Sequence, residues 1–305
     1  MRVFKANKLI NMSDSNFEIV IIGGSYAGLS AALALGRARR KVLVVDAGEP
    51  CNRFTPHAQN FLTRDGTPPA ELRRLAMADV KKYPTVTFRE ARVTKLDGEL
   101  DEFQVFFGEN ESATARRVII AVGVVDLLED IPGLAECWGT SVIHCPYCHG
   151  YEYNDQPTGY LSNTPDTPGF PKMLLNWTPD VTVFTNGPAE FEPEALQKMN
   201  VSLNEQKIVE LRHEAGCLRE VVLEGGETVS LAALYYRPPF RLGSASIAGL
   251  APELQESGHI KTDAQQRTSI PGIFAVGDCA HPMRSVAIAV AAGNVAGAMA
   301  NHDLI

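Results

Sequence analysis

The chain has 305 residues, a formal net charge of −8, and 45% hydrophobic and 21% charged residues. This length suffices for one large domain or two ordinary domains with buried cores. The acidic net charge argues against a dedicated nucleic-acid-binding protein, and no apolar run approaches the roughly 18–20 residues of a membrane-spanning helix. The N-terminal residues lack the apolar region of a secretory signal, and the six cysteines do not resemble a secreted disulfide framework. We therefore expect a cytoplasmic protein without nucleic-acid or membrane partners.

A strand–turn–helix pattern lies near the start of the chain. Residues 17–22 form an apolar, β-branched run, a glycine-rich turn follows, and residues 29–38 are rich in alanine and leucine, which favour a helix. This is the context of the dinucleotide-binding fingerprint, whose helix N-terminus offers N–H groups to a pyrophosphate. A second buried run ends in an acid, at the spacing where a carboxylate binds ribose hydroxyls. The predicted binding residues are Gly23, Ser25 (in place of the middle glycine), Tyr26, Ala27, Gly28 and Asp46.

A C-x-x-C motif, Cys145-Pro146-Tyr147-Cys148, is followed directly by His149. Such a motif is typical of a redox dithiol, of half a zinc site or, because a histidine follows, of haem attachment. A zinc site needs a second pair of ligands, which the other four cysteines do not form, and haem attachment needs export. The redox interpretation is therefore favoured. A helix N-terminus can lower the pKa of such a thiol, and histidine exchanges its proton near neutral pH.

Three further segments resemble the low-molecular-weight thioredoxin reductase family. Residues 52–66 resemble the loop that wraps the flavin, residues 117–123 resemble a strand ending in an Ala-Thr-Gly turn, and residues 268–278 closely match the second FAD motif. The resemblance runs from about residue 17 to residue 300 and puts the C-x-x-C at the family's redox position. It implies that FAD is bound by the fingerprint residues together with Asn52, Arg53, His57, Asn60, Val93, Ala121, Gly123, Gly277, Asp278, Arg284, Ser285 and Val286.

The same resemblance implies an α/β fold of two Rossmann-like nucleotide-binding lobes, the second inserted in the first. Residues 13–127 and 246–305 would form a discontinuous FAD-binding domain. Residues 128–245 would form the inserted NAD(P)-type domain that carries the C-x-x-C motif. Residues 287–300 are predicted to form a helix of small residues suited to close packing, and the resemblance also implies a homodimer.

The inserted lobe departs from the family where NADPH should bind. The glycine turn is replaced by Ser162-Asn163-Thr164, and prolines fall where the phosphate-binding helix should begin, at positions 165, 168 and 171. Because proline is unfavourable inside a helix, we predict that this helix starts late, near Pro171. Residues 185–188 lack the arginine pair that usually holds the 2′-phosphate. We therefore expect NAD(P)H to bind weakly or not at all, and the lobe to serve as a scaffold or to hold a second FAD or another ligand.

The resemblance also implies roles for the motif residues. Cys148 would lie next to the flavin, and Cys145 would exchange with a substrate disulfide through a mixed disulfide. His149 stands where the family usually has aspartate, and we predict that it acts as a general acid/base that protonates the leaving thiolate. The alternative is a helix-start residue that only hydrogen bonds to the backbone. No metal is expected.

These features predict a thioredoxin reductase-like, FAD-dependent disulfide oxidoreductase. It would exchange electrons with thioredoxin or a similar dithiol, and its donor would be ferredoxin or another flavin rather than NADPH. One alternative is an oxygen-dependent oxidase of small-molecule dithiols on the same scaffold. A second alternative, from a different class, is a flavin-binding redox sensor that does not turn over.

Overall fold

The computed structural model describes residues 15–244 and 249–305. The domain limits predicted at residues 13 and 246, and most of the N-terminal segment in which we expect no export signal, lie outside these ranges. Within them, no helix combines the length and the hydropathy that a bilayer span requires.

The secondary structure alternates between strands and helices along most of the chain. The strands are β1 (Asn16–Ile22), β2 (Val42–Asp46), β3 (Val86–Glu90), β4 (Val93–Asp97), β5 (Phe103–Phe107), β6 (Glu111–Ile120), β7 (Val124–Asp126), β8 (Val142–Ile143), β9 (Thr158–Leu161), β10 (Val181–Phe184), β11 (Ser202–Asn204), β12 (Ile208–Glu214), β13 (Cys217–Leu223), β14 (Thr228–Ser230), β15 (Ala233–Tyr236), β16 (Phe240–Leu242) and β17 (Ile273–Ala275). The helices are α1 (Tyr26–Arg37), α2 (Pro69–Val80), α3 (Leu134–Cys137), α4 (Pro146–His149), α5 (Gly169–Leu174), α6 (Glu194–Gln197) and α7 (Val286–His302).

The chain divides into two compact units. The first contains the residues up to Pro50, Arg73–Val125 and Leu242–Ile305, and the second contains Cys51–Leu72 and Asp126–Arg241. The predicted α/β fold of two Rossmann-like lobes, with one inserted in the other, is confirmed. The exact domain limits and the cofactor of each lobe stay predictions.

The first unit is built on a sheet in the order β3-β2-β1-β6-β5-β4, with β17 also paired to β6. The pairs of β1 with β2 and with β6, and of β17 with β6, are parallel. The apolar side chains at the centre of β1 and β6 are fully buried, as is typical of a parallel sheet covered on both faces. The carboxyl ends of these strands meet at one edge, where α/β proteins bind their ligands.

Helix α7 packs tightly against α1 in the same unit. A Cβ atom built on Gly293 would lie 2.1 Å from the carbonyl oxygen of Ala27, and one on Gly297 would lie 2.8 Å from that of Ala31. The predicted helix of small residues is confirmed, and its glycines serve this contact. The homodimer stays a prediction.

The second unit contains a parallel sheet in the order β11-β10-β9-β15-β8 and an antiparallel sheet in the order β12-β13-β14. A hairpin turn containing Gly225 and Gly226 joins β13 to β14, and Gly226 has the positive φ of +84° that such a turn favours.

Candidate redox and nucleotide sites

The two cysteines of the C-x-x-C motif lie at the start of α4, in the second unit. Cys145 has extended backbone and precedes the helix, and Pro146 takes its first position, where the missing N–H costs no hydrogen bond. One helical turn brings Cys148 back over Cys145, and their Sγ atoms lie 2.8 Å apart. The pair can therefore interconvert between dithiol and disulfide with little backbone movement.

The environment of Cys145 favours its thiolate. Its pKa is lowered to about 7, first by the hydrogen bond from the Cys148 thiol, and further by the N–H groups of Cys148 and Tyr147 and by the charge of Arg237; burial opposes this shift. The thiolate is the nucleophile in disulfide exchange. Cys145 is therefore suited to the exchange role predicted for it.

His149 is held in a neutral form. Burial lowers its pKa to about 4, and the nearby carbonyl of Cys145 raises the pKa by less. Among the described residues, neither ring nitrogen has a hydrogen-bond partner of good geometry. With this pKa the ring is neutral and only weakly basic at pH 7, so His149 could protonate a leaving thiolate only after taking a proton from another group. The backbone carbonyl of Cys145 acts on the ring as a weak hydrogen-bond partner, so the alternative of a backbone-bonded helix-start residue stays open beside the acid/base prediction.

Aromatic rings surround the dithiol. Tyr147, between the two cysteines, is 63% exposed and meets Trp177 edge-on, with ring centroids 5.6 Å apart. A Cβ atom on Gly150 would lie 3.0 Å from two atoms of the Trp177 ring, so α4 can pack on this ring because position 150 has no side chain. Burial raises the pKa of Tyr235, and the negative charge of the nearby Cys145 and Cys148 raises it further.

The glycine turn of the first unit leaves no room for side chains. A Cβ atom on Gly23 would lie 2.2 Å from the carbonyl oxygen of Ala121, and one on Gly28 would lie 1.9 Å from that of Gly23. Gly23 also has a φ of +108°, which other residues rarely adopt. Among the described residues, the side chain of Ser25 caps none of the N–H groups of α1. The turn therefore fits the close approach of a pyrophosphate to the start of a long helix.

Asp46, at the end of β2, lies next to this turn. A Cβ atom on Gly24 would lie 2.9 Å from that of Asp46. Arg73 of α2 forms an ion pair with the Asp46 carboxylate and donates a second hydrogen bond, of 3.1 Å, to the carbonyl oxygen of Gly24. The role of Arg73 could not be predicted from the sequence, because the pattern of a helix does not tell which of its charges will face a strand end.

Other predicted FAD residues meet the glycine turn at the same sheet edge. Ala121 follows β6 and donates its N–H to Ile22 at the end of β1. Gly277 follows β17, and a Cβ atom there would lie 3.0 Å from that of Ala27. Segments distant in sequence thus converge on the start of α1, as a dinucleotide site of this fold requires.

The remaining predicted residues of this unit have more local surroundings. Ser285 accepts a hydrogen bond of 3.1 Å from the N–H of Ile288 and so caps α7, which begins at Val286. Val93 is buried at the start of β4. Gly123, with a φ of +61°, follows β6, and the half-buried Asp278 and Arg284 lie between β17 and α7.

The segment predicted to wrap the flavin belongs to the second unit. Asn60 adopts a φ of +60° and donates its N–H to Asp65, while a ring nitrogen of His57 lies 2.9 Å from the carbonyl oxygen of Gly66. Asn52 and Arg53 lie in a 3-10 turn, Cys51–Phe54. The segment is an ordered loop, and its contact with FAD stays a prediction.

In the second unit, the turn after β9 is occupied by its own side chains. Thr167, which is 1% exposed, accepts a hydrogen bond of 2.8 Å from the N–H of Thr164 and lies 2.9 Å from the hydroxyl of Ser162. Asn163 accepts from the N–H of Glu190 and donates to the carbonyl of Pro188, at 2.8 and 3.0 Å. Backbone groups that could meet a phosphate are therefore already bonded within the protein.

The helix after this turn is short and starts late. Helix α5 spans six residues from Gly169, which confirms the predicted delay to within two residues of Pro171. Beyond β10 and β11 lies an open pocket of about 510 Å³, lined by Pro188, Leu203, Asn204, Glu205 and Gln206. The carboxylate of Glu205 also accepts the N–H of Ala189. A 2′-phosphate would meet a negative charge there.

The other features weighed in the sequence have simple surroundings. Cys279 is fully buried, and burial raises its pKa to about 12, which suits a core thiol. In the part of the chain that the structure describes, no three His, Cys, Asp or Glu side chains come together in a way that could hold a metal ion.

Known proteins match this chain along nearly its whole length. The pyridine nucleotide-disulphide oxidoreductase family matches residues 17–164 and 174–293. The thioredoxin reductase sirT of Leptosphaeria maculans is 31% identical over 95% of each chain. The crystal structure of an oxidoreductase from Agrobacterium tumefaciens is 42% identical, with a TM-score of 0.89 over 95% of this chain and 98% of its own.

A more distant structure shares the fold. The thioredoxin reductase of Streptococcus pyogenes is 23% identical and has a TM-score of 0.87 over 95% of this chain and 99% of its own. The family implies that FAD is bound, and the glycine turn and sheet edge of the first unit fit that cofactor. The chain therefore belongs to the pyridine nucleotide-disulphide oxidoreductase family and is a thioredoxin reductase-like flavoprotein disulfide oxidoreductase.

Proposed function

We propose that the protein exchanges electrons between FAD, the Cys145–Cys148 pair and a dithiol or disulfide partner such as thioredoxin, without using NADPH. The observation that carries the proposal is the turn after β9, where the hydroxyl of Thr167 accepts the N–H of Thr164, a backbone group that a phosphate would otherwise meet. If NADPH does not bind, a reductase needs another electron donor, and ferredoxin or a second flavin is the donor class we infer. We further infer a cytoplasmic homodimer, which light scattering of the purified protein would test.

The residues of the chain have distinct tasks in this proposal. Bound FAD supplies a two-electron carrier. Cys145, with its lowered pKa, is the thiolate that attacks the partner's disulfide, and Cys148 resolves the mixed disulfide that results. In the first unit, the turn at Gly23 and Gly28 admits the pyrophosphate, and Asp46 is placed to bind ribose hydroxyls.

A second candidate, an oxygen-dependent dithiol oxidase, is favoured by the state of His149. Its pKa of about 4 keeps the ring neutral and only weakly basic at pH 7. A neutral ring holds no proton for the leaving thiolate that reduction produces, whereas the oxidising direction needs no such donor and uses the ring only to relay a proton away from an incoming dithiol. In that direction the partner would leave as a disulfide, and oxygen would take the electrons and protons to give hydrogen peroxide.

Two assays on the FAD-loaded protein separate these candidates. Reduction of thioredoxin by chemically reduced ferredoxin, absent without the protein, would support the reductase. Oxygen uptake with a small dithiol, with one disulfide and one peroxide formed per oxygen consumed, would support the oxidase. Failure of both assays would exclude both enzymatic candidates. If a partner then bound the protein in only one redox state, the flavin redox sensor would remain.

A further inference from the structure

A cation is fixed near the dithiol by an aromatic cluster of the second unit. Arg237 directly follows β15, and its guanidinium carbon lies 4.3 Å from the ring centroid of Phe170. Phe170, buried on α5, packs against Tyr160 and Tyr235 with centroid distances of 4.5 and 5.6 Å. A planar guanidinium stacks well on a ring face, so the cluster holds the charge in one place.

The charge of Arg237 is not cancelled by an ion pair. Its side chain is exposed, and within the described residues no carboxylate is paired with it. The nearby groups that face Cys145 are the Cys148 thiol, which donates to it, and Tyr235, whose raised pKa keeps it neutral. His149 is neutral as well. Strands β15 and β8 pair in parallel with Tyr235 opposite Ile143, so Arg237 and Cys145 each lie two residues beyond this pair at neighbouring strand ends. Within the described residues, Arg237 is the positive charge that lowers the pKa of this thiol.

We propose that Arg237 is a positioning residue that, held by Phe170, keeps negative charge on Cys145. Helix α5 stands where a nucleotide-binding lobe would present its phosphate-binding helix. In this chain the helix instead supplies the ring that places a cation beside the exchanging sulfur. This role of Arg237 in exchange rests on the proposed function, in which Cys145 is the exchanging thiol.

The charge matters in both directions of exchange. In reduction, the Cys145 thiolate attacks one sulfur of the partner's disulfide, so a mixed disulfide forms and the partner's S–S bond breaks, and the departing thiolate takes up a proton. Cys148 then attacks the Cys145 sulfur, which oxidises the pair to a disulfide and releases the partner as a dithiol. In the reverse direction Cys145 is the thiolate that departs last, and a stabilised thiolate departs faster.

The test is the pH profile of Cys145 alkylation in the reduced, FAD-loaded protein under anaerobic conditions. Iodoacetamide labelling of Cys145 is followed by tandem mass spectrometry, which separates it from Cys148. We expect Arg237→Gln to raise the pH midpoint by about half a unit or more, because a nearby cation favours the charged form. Because the pKa of Cys145 is about 7, labelling at pH 7 should slow by about twofold or more. Arg237→Lys should restore most of the rate, and Phe170→Leu should give an intermediate profile.

The matched control is Arg241→Gln, which removes the same charge from another exposed position of the second unit. Its profile should superimpose on that of the wild type. Wild-type-like profiles for both Arg237→Gln and Phe170→Leu, in proteins that retain FAD and their melting temperature, would overturn the proposal. Because labelling needs no electron donor or partner, this result is independent of whether the proposed turnover is found.

Discussion

Both units contain a strand–turn–helix element, but the two elements differ in the residues of the turn and in the length of the helix. In the first, the turn after β1 is made of glycines that contact backbone, and the helix that follows runs for 12 residues. In the second, the turn after β9 is Ser162-Asn163-Thr164, and the helix that follows has six residues. Among the described residues of the first turn, the side chain of Ser25 caps no N–H group of the helix, whereas in the second turn the N–H of Thr164 is bonded to the side chain of Thr167.

The comparison shows how a nucleotide lobe can keep its fold without keeping its ligand. The parallel sheet of the second unit depends on apolar strands such as β10 and β15, whose core side chains are buried. A phosphate seat depends instead on a few small residues and on free N–H groups. When polar side chains accept hydrogen bonds from those N–H groups, the same bonds stabilise the lobe and remove the phosphate-binding site.

The largest effect should come from the dithiol of the second unit. Replacing Cys145 or Cys148 by serine should slow thiol–disulfide exchange by about a thousandfold or more, because a nucleophile is lost, while the FAD content of the first unit stays unchanged. Cys217→Ser, at an exposed cysteine, is the control. Stopped-flow spectra of the flavin with a dithiol would measure the effect, and wild-type rates in both serine variants would refute the role of the pair.

Glycine substitutions test the two turns against each other. Gly28→Ala would put a Cβ atom 1.9 Å from a backbone oxygen, which should cost about 1–3 kcal/mol or more and release FAD. Among the described residues, nothing lies within 4 Å of a Cβ atom on Gly169, so Gly169→Ala should be tolerated. The FAD retained on gel filtration and the melting temperature would be measured for both variants. Equal losses in the two variants would contradict the contrast between the turns.

Thr167 should stabilise the closed turn. Thr167→Val keeps the shape but leaves the N–H of Thr164 without its acceptor, which should lower the free energy of unfolding by about 1–3 kcal/mol. Thr228→Val, at an exposed position of β14, should change little. Denaturant unfolding would measure both, and a neutral Thr167→Val would argue that the turn is not held by this hydroxyl.

The smallest effect should be the pH dependence that His149 causes. The ring has a pKa of about 4 when folded and about 6.5 when unfolded. The unfolded chain therefore binds an extra proton between these values, and stability falls as the pH drops through this window. Between pH 7 and pH 5 the loss should be about 1–2 kcal/mol. In His149→Gln this loss should disappear, whereas His302→Gln, at an exposed histidine, should keep it; equal slopes in all three proteins would exclude a buried neutral ring.

Much of this arrangement could be predicted from local patterns. The strand before Gly23, the strand ending at Asp46, the hairpin at Gly225-Gly226 and the late start of α5 all follow from apolar runs and from the conformations of glycine and proline. The roles of Thr167 and Arg237 could not be predicted in this way. Arg237 acts on a cysteine far away in sequence, so that contact exists only after the sheet has formed. The contact of Thr167 is local, with Thr164 three residues earlier, but the sequence does not tell which of the neighbouring hydroxyls will accept the backbone N–H.

The lowered pKa of His149 could not be predicted from the sequence either. Its position beside Cys148 suggests an acid/base near neutral pH, but burial against the rest of the second unit lowers the pKa to about 4. Neighbours in sequence do not reveal burial of this kind.

An anaerobic titration of the oxidised, FAD-loaded protein tests the central contrast most directly. The account predicts that the flavin spectrum stays unchanged when NADPH is added at micromolar concentrations, and that it bleaches when a dithiol follows, provided that Cys145 and Cys148 are intact. Prompt bleaching by micromolar NADPH would contradict the account, because it would mean that the second unit still binds the nucleotide.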